Sequence, residues 1–344
     1  MTKTMKILVT GAAGFIAGYL ISDLLEAGYE VVGLDNFSKY GRVQKSYDSH
    51  SRYTLVEDDA KNVELMKQLL EDCDHFVAAA AMIGGISYFH AFAYDLLAEN
   101  ERITAASFDA AIHAHKHGRL KKITVLSSSM VFESTTEFPT PEGAERRSPP
   151  PLSTYGFQKL ATEYFAKGAR EQYGLPYTIA RPFNCVGIGE RRAIRDSNVT
   201  SGNVRLALSH VVPDLVQKIL KGQDPLHILG AGSQIRHYTY GGDLARGIRL
   251  CIEHPASLNE DFNLSTAIAT SVLDLAKCIW QKIHHDTKPF RCVSDSPYEY
   301  DVHLRSPDVV KAEKMLGFRA ETQLSQILDE VIPWIEEQIR HEQI

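Results

Sequence analysis

The chain has 344 residues, of which 44% are hydrophobic and 23% are charged, and it carries a formal net charge of -6 at pH 7. These values are typical of a soluble globular protein that forms one large domain or two modest ones. The negative charge argues against a general nucleic-acid binder, because affinity for the phosphate backbone requires a basic surface. No apolar run is long enough to cross a membrane, so no membrane partner is expected.

The cysteines give no sign of a disulfide framework or of a metal site. There are five of them, an odd number, and no two form a Cys-x-x-Cys pair. We therefore expect no metal cofactor and a reducing compartment, the cytoplasm.

A glycine-containing turn follows the first predicted strand, residues 6–10, and leads into an apolar-periodic helix that reaches Leu25. Gly11 and Gly14 lie in this turn, where glycine lets the backbone approach a pyrophosphate closely. The free N–H groups and the positive end of the helix would bind its charge. The order of strand, turn and helix predicts a dinucleotide site.

The second predicted strand, residues 29–34, ends in Asp35. An acidic side chain at this position is placed to accept hydrogen bonds from the adenosine ribose hydroxyls. Because a carboxylate would repel a 2′-phosphate, the sequence favours NAD over NADP. Lys39 and Arg42 lie nearby and leave NADP as the alternative.

Four further predicted strands alternate with helices along the first half of the chain. They span residues 53–56, 75–81, 122–126 and 177–181. Regular alternation of this kind predicts a parallel, doubly wound sheet, which binds ligands at the carboxyl ends of its strands. After Asn184 the pattern changes: residues 187–204 contain five charged residues, three glycines and no periodicity. That segment is predicted to be a loop, either covering a substrate or simply a solvated connection.

Ser127 to Ser129 follow the strand at residues 122–126, and Tyr155 and Lys159 lie one helical turn apart soon afterwards. A free tyrosine titrates near pH ~10, so it acts as a base at neutral pH only if a nearby cation favours its phenolate. Lys159 would lie on the same helix face and supply that cation. The set predicts proton removal from a substrate hydroxyl, coupled to a redox cofactor. Taken alone, Tyr-x-x-x-Lys also arises by chance on surface helices.

These motifs, in this order, resemble the extended short-chain dehydrogenases/reductases that modify nucleotide-diphosphate sugars, the NAD-dependent epimerase and dehydratase family. The match covers nearly the whole chain, including the 230–236 turn and Arg305 ahead of Pro307. The resemblance implies an α/β fold: a Rossmann-type doubly wound parallel sheet with a smaller C-terminal α/β substrate domain. It implies an NAD-binding domain of residues 1–184 plus about 233–262, and a nucleotide-sugar-binding domain of about 185–232 plus 263–344. It also implies a homodimer.

The resemblance further implies roles for individual residues. The implied catalytic residues are Ser128, Tyr155 and Lys159. The implied NAD-binding residues, besides Tyr155 and Lys159, are Gly11, Gly14, Phe15, Ile16, Asp35, Asn36, Asp59, Ala60, Ala79, Ala80 and Asn100. The implied residues for the nucleotide-diphosphate sugar are Gly84, Gly85, Ser129, Asn184, Val212, Arg236 and Arg305.

The most informative departure from the family is the pair Ser129 and Met130. Relatives that are 4,6-dehydratases look to have Asp-Glu here, decarboxylating relatives have glutamate at the second position, and 3,5-epimerases have a reactive cysteine there. A thioether can neither give nor take a proton. Met130 therefore favours chemistry that needs only Ser128, Tyr155 and hydride transfer, which is sufficient for 4-epimerisation.

Several alternatives stay open at this point. The Gly84-Gly85-Ile86 and 209–211 segments look more like the GDP-sugar branch, so the nucleotide is either GDP or UDP. The enzyme is alternatively a 4-dehydrogenase that stops halfway. Dehydratase or 3,5-epimerase chemistry requires an acid or base from elsewhere, and the candidates are Tyr88, His90, Cys185 and His210. A non-catalytic NAD-binding sensor is the distant alternative.

Overall fold

The computed structural model describes residues 4–84, 92–190, 199–201, 204–206, 210–285, 287–296 and 302–341. The strands are β1 (Lys6–Thr10), β2 (Glu30–Asp35), β3 (Tyr53–Glu57), β4 (His75–Ala78), β5 (Lys122–Leu126), β6 (Tyr177–Pro182), β7 (Cys185–Val186), β8 (Val199–Ser201), β9 (Val204–Leu206), β10 (Leu226–Leu229), β11 (Ile235–Arg236), β12 (Thr239–Tyr240), β13 (Glu260–Leu264), β14 (Thr270–Ser271) and β15 (Cys292–Asp295). The α-helices are α1 (Phe15–Glu26), α2 (Val63–Leu70), α3 (Ala93–His117), α4 (Thr154–Tyr173), α5 (Val211–Leu220), α6 (Gly241–Glu253), α7 (Val272–His284), α8 (Val310–Leu316) and α9 (Leu324–Arg340).

Seven of the strands form a central parallel sheet in the order β13-β6-β5-β4-β1-β2-β3. Strands in the middle of this sheet are mostly buried because both faces are covered. All five residues of β5 are buried, for example. The order reverses direction at β1 and β4, which is the switch point where open α/β sheets bind ligands.

Helices cover both faces of the sheet and bury two hydrophobic cores. One core is formed with α1, α6 and α8, and the other with α2, α3 and α4. The sheet is therefore doubly wound, and the prediction of a Rossmann-type α/β fold is confirmed. Within the described residues, no helix is sufficiently long and apolar to span a membrane.

A third hydrophobic core lies outside the central sheet and joins α5, α7 and α9 to the β10–β15 pair. Short two-stranded pairs, β7–β12 and β11–β14, connect this region to the sheet. The implied boundary at residue 262 falls inside β13, which pairs with β6 along its length. Residues 312–318 of the C-terminal segment also pack into the first core, against α1 and α6. Part of the predicted C-terminal substrate domain therefore packs against the central sheet.

The predicted loop at residues 187–204 also differs from the structure. Val199–Ser201 and Val204–Leu206 form an antiparallel pair, so the loop prediction is wrong for residues 199–201 and 204. Strands of three residues are too short to show a period in the sequence, which is why this pair was missed. Residues 191–198 lie outside the described part of the chain.

Candidate active site

A cavity of about 1170 Å³ lies at the carboxyl ends of the central strands. It extends from the glycine turn after β1, past the ends of β2, β4 and β5, to the start of α5 and to Arg305. Most of the residues implied by the resemblance line it. The topology brings them together because parallel strands end on the same edge of the sheet.

The glycine turn forms one end of this cavity. Gly11 has a φ of 73°, and a Cβ on it would lie 2.9 Å from the Cα of Ala80, so only glycine fits. A Cβ on Gly14 would lie 2.9 Å from the carbonyl oxygen of Gly11. Helix α1 then begins without a side-chain cap and without an acidic residue in its first turn. Its positive end faces the cavity, which fits a pyrophosphate. Phe15 and Ile16 line the cavity beside it.

Asp35 ends β2 on the same edge of the cavity. Its carboxylate accepts hydrogen bonds from the backbone N–H of Ala13 at 3.0 Å and of Phe37 at 2.7 Å. The two contacts fix the carboxylate beside the glycine turn, where it fits a ribose diol. Arg42, one of the two cations considered for NADP, forms an ion pair with Glu57 and covers the Phe37 ring.

The neighbouring loops complete the adenosine end of the cavity. Asn36 donates from Nδ2 to the Asp59 carboxylate at 3.1 Å, and Asp59 accepts a further hydrogen bond from the Lys61 N–H. The side chains of Asn36 and Asp59 line the cavity, together with Ala60. The backbone N–H groups of Ala79 and Ala80 each donate to the Thr10 hydroxyl at 3.2 Å. These bonds hold the segment after β4 against the glycine turn.

Asn100 does not reach the cavity wall. Its side-chain oxygen accepts from the Met82 N–H at 2.7 Å, and its Nδ2 donates to the Met82 carbonyl at 2.9 Å. Asn100 is 2% exposed, so both amide groups are used for this clamp. This clamp supports the loop that carries Met82, and the implied contact of Asn100 with the cofactor stays a prediction. Gly84 is buried and also lies off the cavity wall, whereas Gly85, Tyr88 and His90 lie outside the described residues.

Ser128, Tyr155 and Lys159 meet at the middle of the cavity. The Tyr155 hydroxyl hydrogen-bonds the Ser128 side chain, which also accepts from the Met130 N–H at 3.2 Å. Lys159 donates from Nζ to the Leu126 carbonyl at 2.9 Å, and Nζ lies 5.9 Å from the centre of the Tyr155 ring. Helix α4 is held in register by its N-cap Ser153, whose hydroxyl accepts from the Gly156 N–H.

Burial is the largest influence on the titration of Tyr155 and of Lys159. It raises the pKa of Tyr155 to about 12, and the Ser128 hydrogen bond and the charge of Arg305 offset only part of this effect. Burial also lowers the pKa of Lys159 to about 8, opposed by the nearby Glu163 carboxylate. Arg305 is thus a second cation that acts on the phenol, and the stabilisation of the phenolate by Lys159 stays a prediction.

Met130 and Asn184 form the wall on the other side of Tyr155. Arg305 donates from Nη2 to the Met130 sulfur at 2.8 Å and from Nη1 to the Asn184 side-chain oxygen at 3.3 Å. Asn184 has a positive φ of 39°, a conformation that asparagine tolerates better than most residues. Ser129 opens the short 3-10 turn that contains Met130 and lines the same cavity.

Two arginines lie on adjacent extended segments at the far end. Ile235 and Leu304 form a parallel bridge, which places Arg236 beside the segment that carries Arg305. Arg236 donates from Nη1 to the Ile235 carbonyl at 2.9 Å, and both arginines line the cavity. Val212 in the first turn of α5 lines the same cavity. This pair of guanidinium groups fits a diphosphate.

Two carboxylates in the cavity wall belong to none of the sequence motifs. Glu133 accepts from both the N–H and the hydroxyl of Ser153, at 2.9 and 2.8 Å, and so holds the start of α4. Glu190 is buried and forms an ion pair with Nδ1 of His210, the N-cap residue of α5. Glu190 stands in the aperiodic segment, where the sequence carries no signal for it. Among the described residues, no group of three or more His, Cys, Asp or Glu could hold a metal ion.

A model described as the NAD dependent epimerase/dehydratase family matches residues 7–265. The UDP-glucose 4-epimerase of Thermotoga maritima, solved with UDP-glucose, is 27% identical, has a TM-score of 0.80, and is matched over 97% of this chain and 100% of its own. The UDP-glucuronic acid 4-epimerase of Bacillus cereus, solved with UDP-glucuronic acid and NAD, is 26% identical, has a TM-score of 0.80, and is matched over 97% of this chain and 99% of its own. A UDP-glucose 4-epimerase of Halalkalibacterium halodurans is 28% identical over 294 residues, 82% of this chain and 81% of its own. Together with the fold and the residues of the cavity, these findings confirm the resemblance: the chain belongs to the NAD-dependent epimerase/dehydratase family.

Proposed function

We propose that this protein is a 4-epimerase of a nucleotide-diphosphate sugar that uses NAD. The observation that carries this proposal is the contact set around Tyr155. Ser128 provides a protic group beside the phenol, whereas Met130, in the position where dehydratase relatives have an acid, provides none. A site built in this way can remove and return one hydroxyl proton. That is the whole proton requirement of epimerisation through a 4-keto sugar.

Each residue beside the C4 hydroxyl of the sugar would have its own role in the reaction. The glycine turn and Asp35 would hold NAD, which when bound would supply reversible hydride transfer at C4 of the sugar. Tyr155 takes the proton of the C4 hydroxyl through its phenolate and gives it back as a phenol. Ser128 hydrogen-bonds the same oxygen, and the positive charges of Lys159 and Arg305 favour the phenolate. Because burial raises the pKa of Tyr155, removal of its proton would contribute to the barrier in the forward direction.

One end of the cavity suits NAD, and the other end suits the nucleotide-diphosphate sugar. The glycine turn and Asp35 suit NAD, and Arg236 with Arg305 suits the substrate diphosphate. We propose that residues 1–184 with about 233–264 bind NAD, and that the remaining segments, apart from 312–318, bind the nucleotide sugar. The named relatives act on UDP-sugars, which supports UDP over GDP as the nucleotide.

A second function is favoured by one observation, the ion pair between Glu190 and His210. The pair lines the same cavity and could transfer a proton at a second sugar carbon, as a 3,5-epimerase or a dehydratase requires. Cys185 is a weaker candidate for that role, because burial and the Glu190 charge raise the pKa of its thiol. Exchange with deuterated water separates the two functions, since 4-epimerisation returns the same hydride and takes no solvent deuterium onto carbon.

The direct test is incubation of the purified protein with a panel of UDP- and GDP-sugars in deuterated water, with products identified by NMR. A C4 epimer without deuterium on carbon supports the proposal. Deuterium at C3 or C5, or a 4-keto-6-deoxy product, assigns the second function. Bound NADH that accumulates with a keto product shows a 4-dehydrogenase, and NAD binding without turnover of any sugar shows a sensor.

We also propose that the protein is a cytoplasmic homodimer. Helices α3 and α4 pack together and leave aromatic side chains exposed on their outer surface. These are Phe157, Tyr164 and Phe165. Apolar surface of this kind is suited to pairing with a second copy. All five cysteines are free, which supports a reducing compartment. Light scattering that gives a monomer mass at micromolar concentration would contradict the dimer.

A further inference from the structure

A buried cluster of charges lies directly behind the catalytic residues. Its centre is Arg181 on β6, whose side chain is fully buried. Arg181 forms a two-point ion pair with Glu163 on α4, with both N–O distances at 2.7 Å, and a further pair with Asp261 on β13 at 2.6 Å. Glu145 lies 3.6 Å from the same guanidinium. Breaking a buried pair of this kind leaves an uncompensated charge, so the cluster is held firmly in place.

Glu163 connects this cluster to the catalytic residues in two ways. Its Oε1 accepts a hydrogen bond of 2.6 Å from the Ser127 hydroxyl, and Ser127 immediately precedes Ser128. Glu163 also follows Lys159 by one helical turn, so the two side chains lie on the same face of α4. Its negative charge opposes the effect of burial on the Lys159 amine. One carboxylate thus contacts the end of β5 and acts on the charge of the helix that carries Tyr155.

We propose that Glu163 is a positioning residue for the reaction, which holds Ser127 and thereby Ser128 opposite Tyr155 and places a carboxylate one helical turn from Lys159. This inference rests on the proposed 4-epimerase function for its kinetic readout only. A misplacement of Ser128 by as little as ~1 Å would lower turnover by up to about a hundredfold. Arg181 fixes the direction of the carboxylate, and Asp261 balances the guanidinium from the other side.

The charged and polar groups around Lys159 determine the pH at which its amine titrates. On its own helix it faces Tyr155 and Glu163, and from β5 it faces the Leu126 carbonyl, which carries no charge. Ser128 and Arg305 face Tyr155 from the other side. The other charges of the cluster are Glu145, Asp261, Lys167 and Lys311, which surround Arg181 behind Glu163. Of these groups, Glu163 is the carboxylate that acts on Lys159.

The test compares Glu163→Gln with Asp261→Asn, which removes another carboxylate from Arg181 but contacts neither Ser127 nor Lys159. We expect Glu163→Gln to lower kcat by at least tenfold with little change in KM, and to move the Lys159 titration, followed by NMR of carbon-13-labelled lysine, to lower pH by about one unit. Asp261→Asn should leave the Lys159 titration in place. Because the titration needs no substrate, its outcome is independent of the proposed function. An equal effect of both variants on kcat and on the titration would overturn the proposal, since it would show a role in folding alone.

Two further variants keep the test informative if Glu163→Gln folds poorly. Ser127→Ala removes the hydrogen bond but not the charge, so it should lower kcat and leave the Lys159 titration unchanged. Glu163→Asp keeps the negative charge but shortens the side chain. The Lys159 titration should therefore stay close to its wild-type pH, whereas kcat should fall in part. A Ser127→Ala variant with wild-type kcat would refute the positioning role.

Discussion

Arg305 contacts Met130 directly, with Nη2 lying 2.8 Å from the sulfur, and the same guanidinium acts on the pKa of Tyr155. Met130, the most informative departure from the family, therefore borders both the arginine that we propose to bind the diphosphate and the phenol that we propose to be catalytic. A methionine in this position leaves the guanidinium its full charge. A carboxylate in its place would pair with Arg305 and compete with the substrate.

The first prediction concerns this contact. Met130→Leu roughly keeps the side-chain volume, and leucine, like methionine, has no group that can give or take a proton. We therefore expect kcat within a few-fold of the wild type. Met130→Glu should raise KM for the nucleotide sugar by about tenfold or more, because the new carboxylate would pair with Arg305. Steady-state kinetics on the preferred sugar measures both. A Met130→Leu variant without activity would indicate that the thioether itself is required.

The second prediction concerns the catalytic phenol. Tyr155→Phe removes the hydroxyl that exchanges the proton, and we expect kcat to fall by about 10²–10⁴-fold. NAD binding should persist, because the glycine turn and Asp35 are unchanged. The measurements are turnover and cofactor content of the purified variant. A variant with normal turnover would remove Tyr155 from the mechanism.

The third prediction concerns stability against pH. The folded-state pKa of Lys159 is about 8, below its ordinary value of 10.5, so the unfolded chain binds more protons between these values. Its contribution to the free energy of unfolding should therefore rise as the pH increases from about 8 to 10.5. We expect Lys159→Met to lose this rise relative to the wild type. Lys121→Met, at an exposed lysine on the neighbouring segment, is the control and should leave the slope unchanged.

The fourth prediction concerns cofactor choice. Asp35→Ser removes the carboxylate that faces the ribose, and we expect the ratio of NADP to NAD affinity to rise by about tenfold or more. Adding Glu57→Gln frees Arg42 from its ion pair and should raise the ratio further. Glu57→Gln alone should retain the NAD preference, because Asp35 stays in place. Calorimetry with both dinucleotides provides the ratio, and an unchanged value in Asp35→Ser would contradict the assignment.

The fifth prediction concerns the packing of Tyr19 on α1 against Gly241 at the start of α6. A Cβ on Gly241 would lie 2.5 Å from the Tyr19 ring, and the Tyr19 hydroxyl accepts the Ile188 N–H at 2.8 Å. Gly241→Ala should therefore lower the free energy of unfolding by about 1–3 kcal/mol. Gly168→Ala is the matched control, since a Cβ there meets nothing within 4 Å inside α4. We expect that change to stabilise by roughly 0.5–1 kcal/mol, measured by denaturant unfolding.

Most of the central sheet could be predicted from the sequence because its inner strands are short β-rich runs that alternate with helices. The predicted strand at residues 122–126 coincides with β5, for example. The return of residues 312–318 to the first core could not be predicted, because a helical period shows that one face is buried but not which surface covers it.

The site shows the same division. Gly11, Asp35 and Tyr155 could be identified from the sequence because each occurs at a set distance from a strand end or within one helical turn. The charges acting on Tyr155, the contact of Arg305 with Met130 and the pair of Glu190 with His210 join residues far apart in the chain. Only the tertiary structure decided these, since burial and distance, which determine desolvation and Coulomb interaction, exist only once the chain has folded.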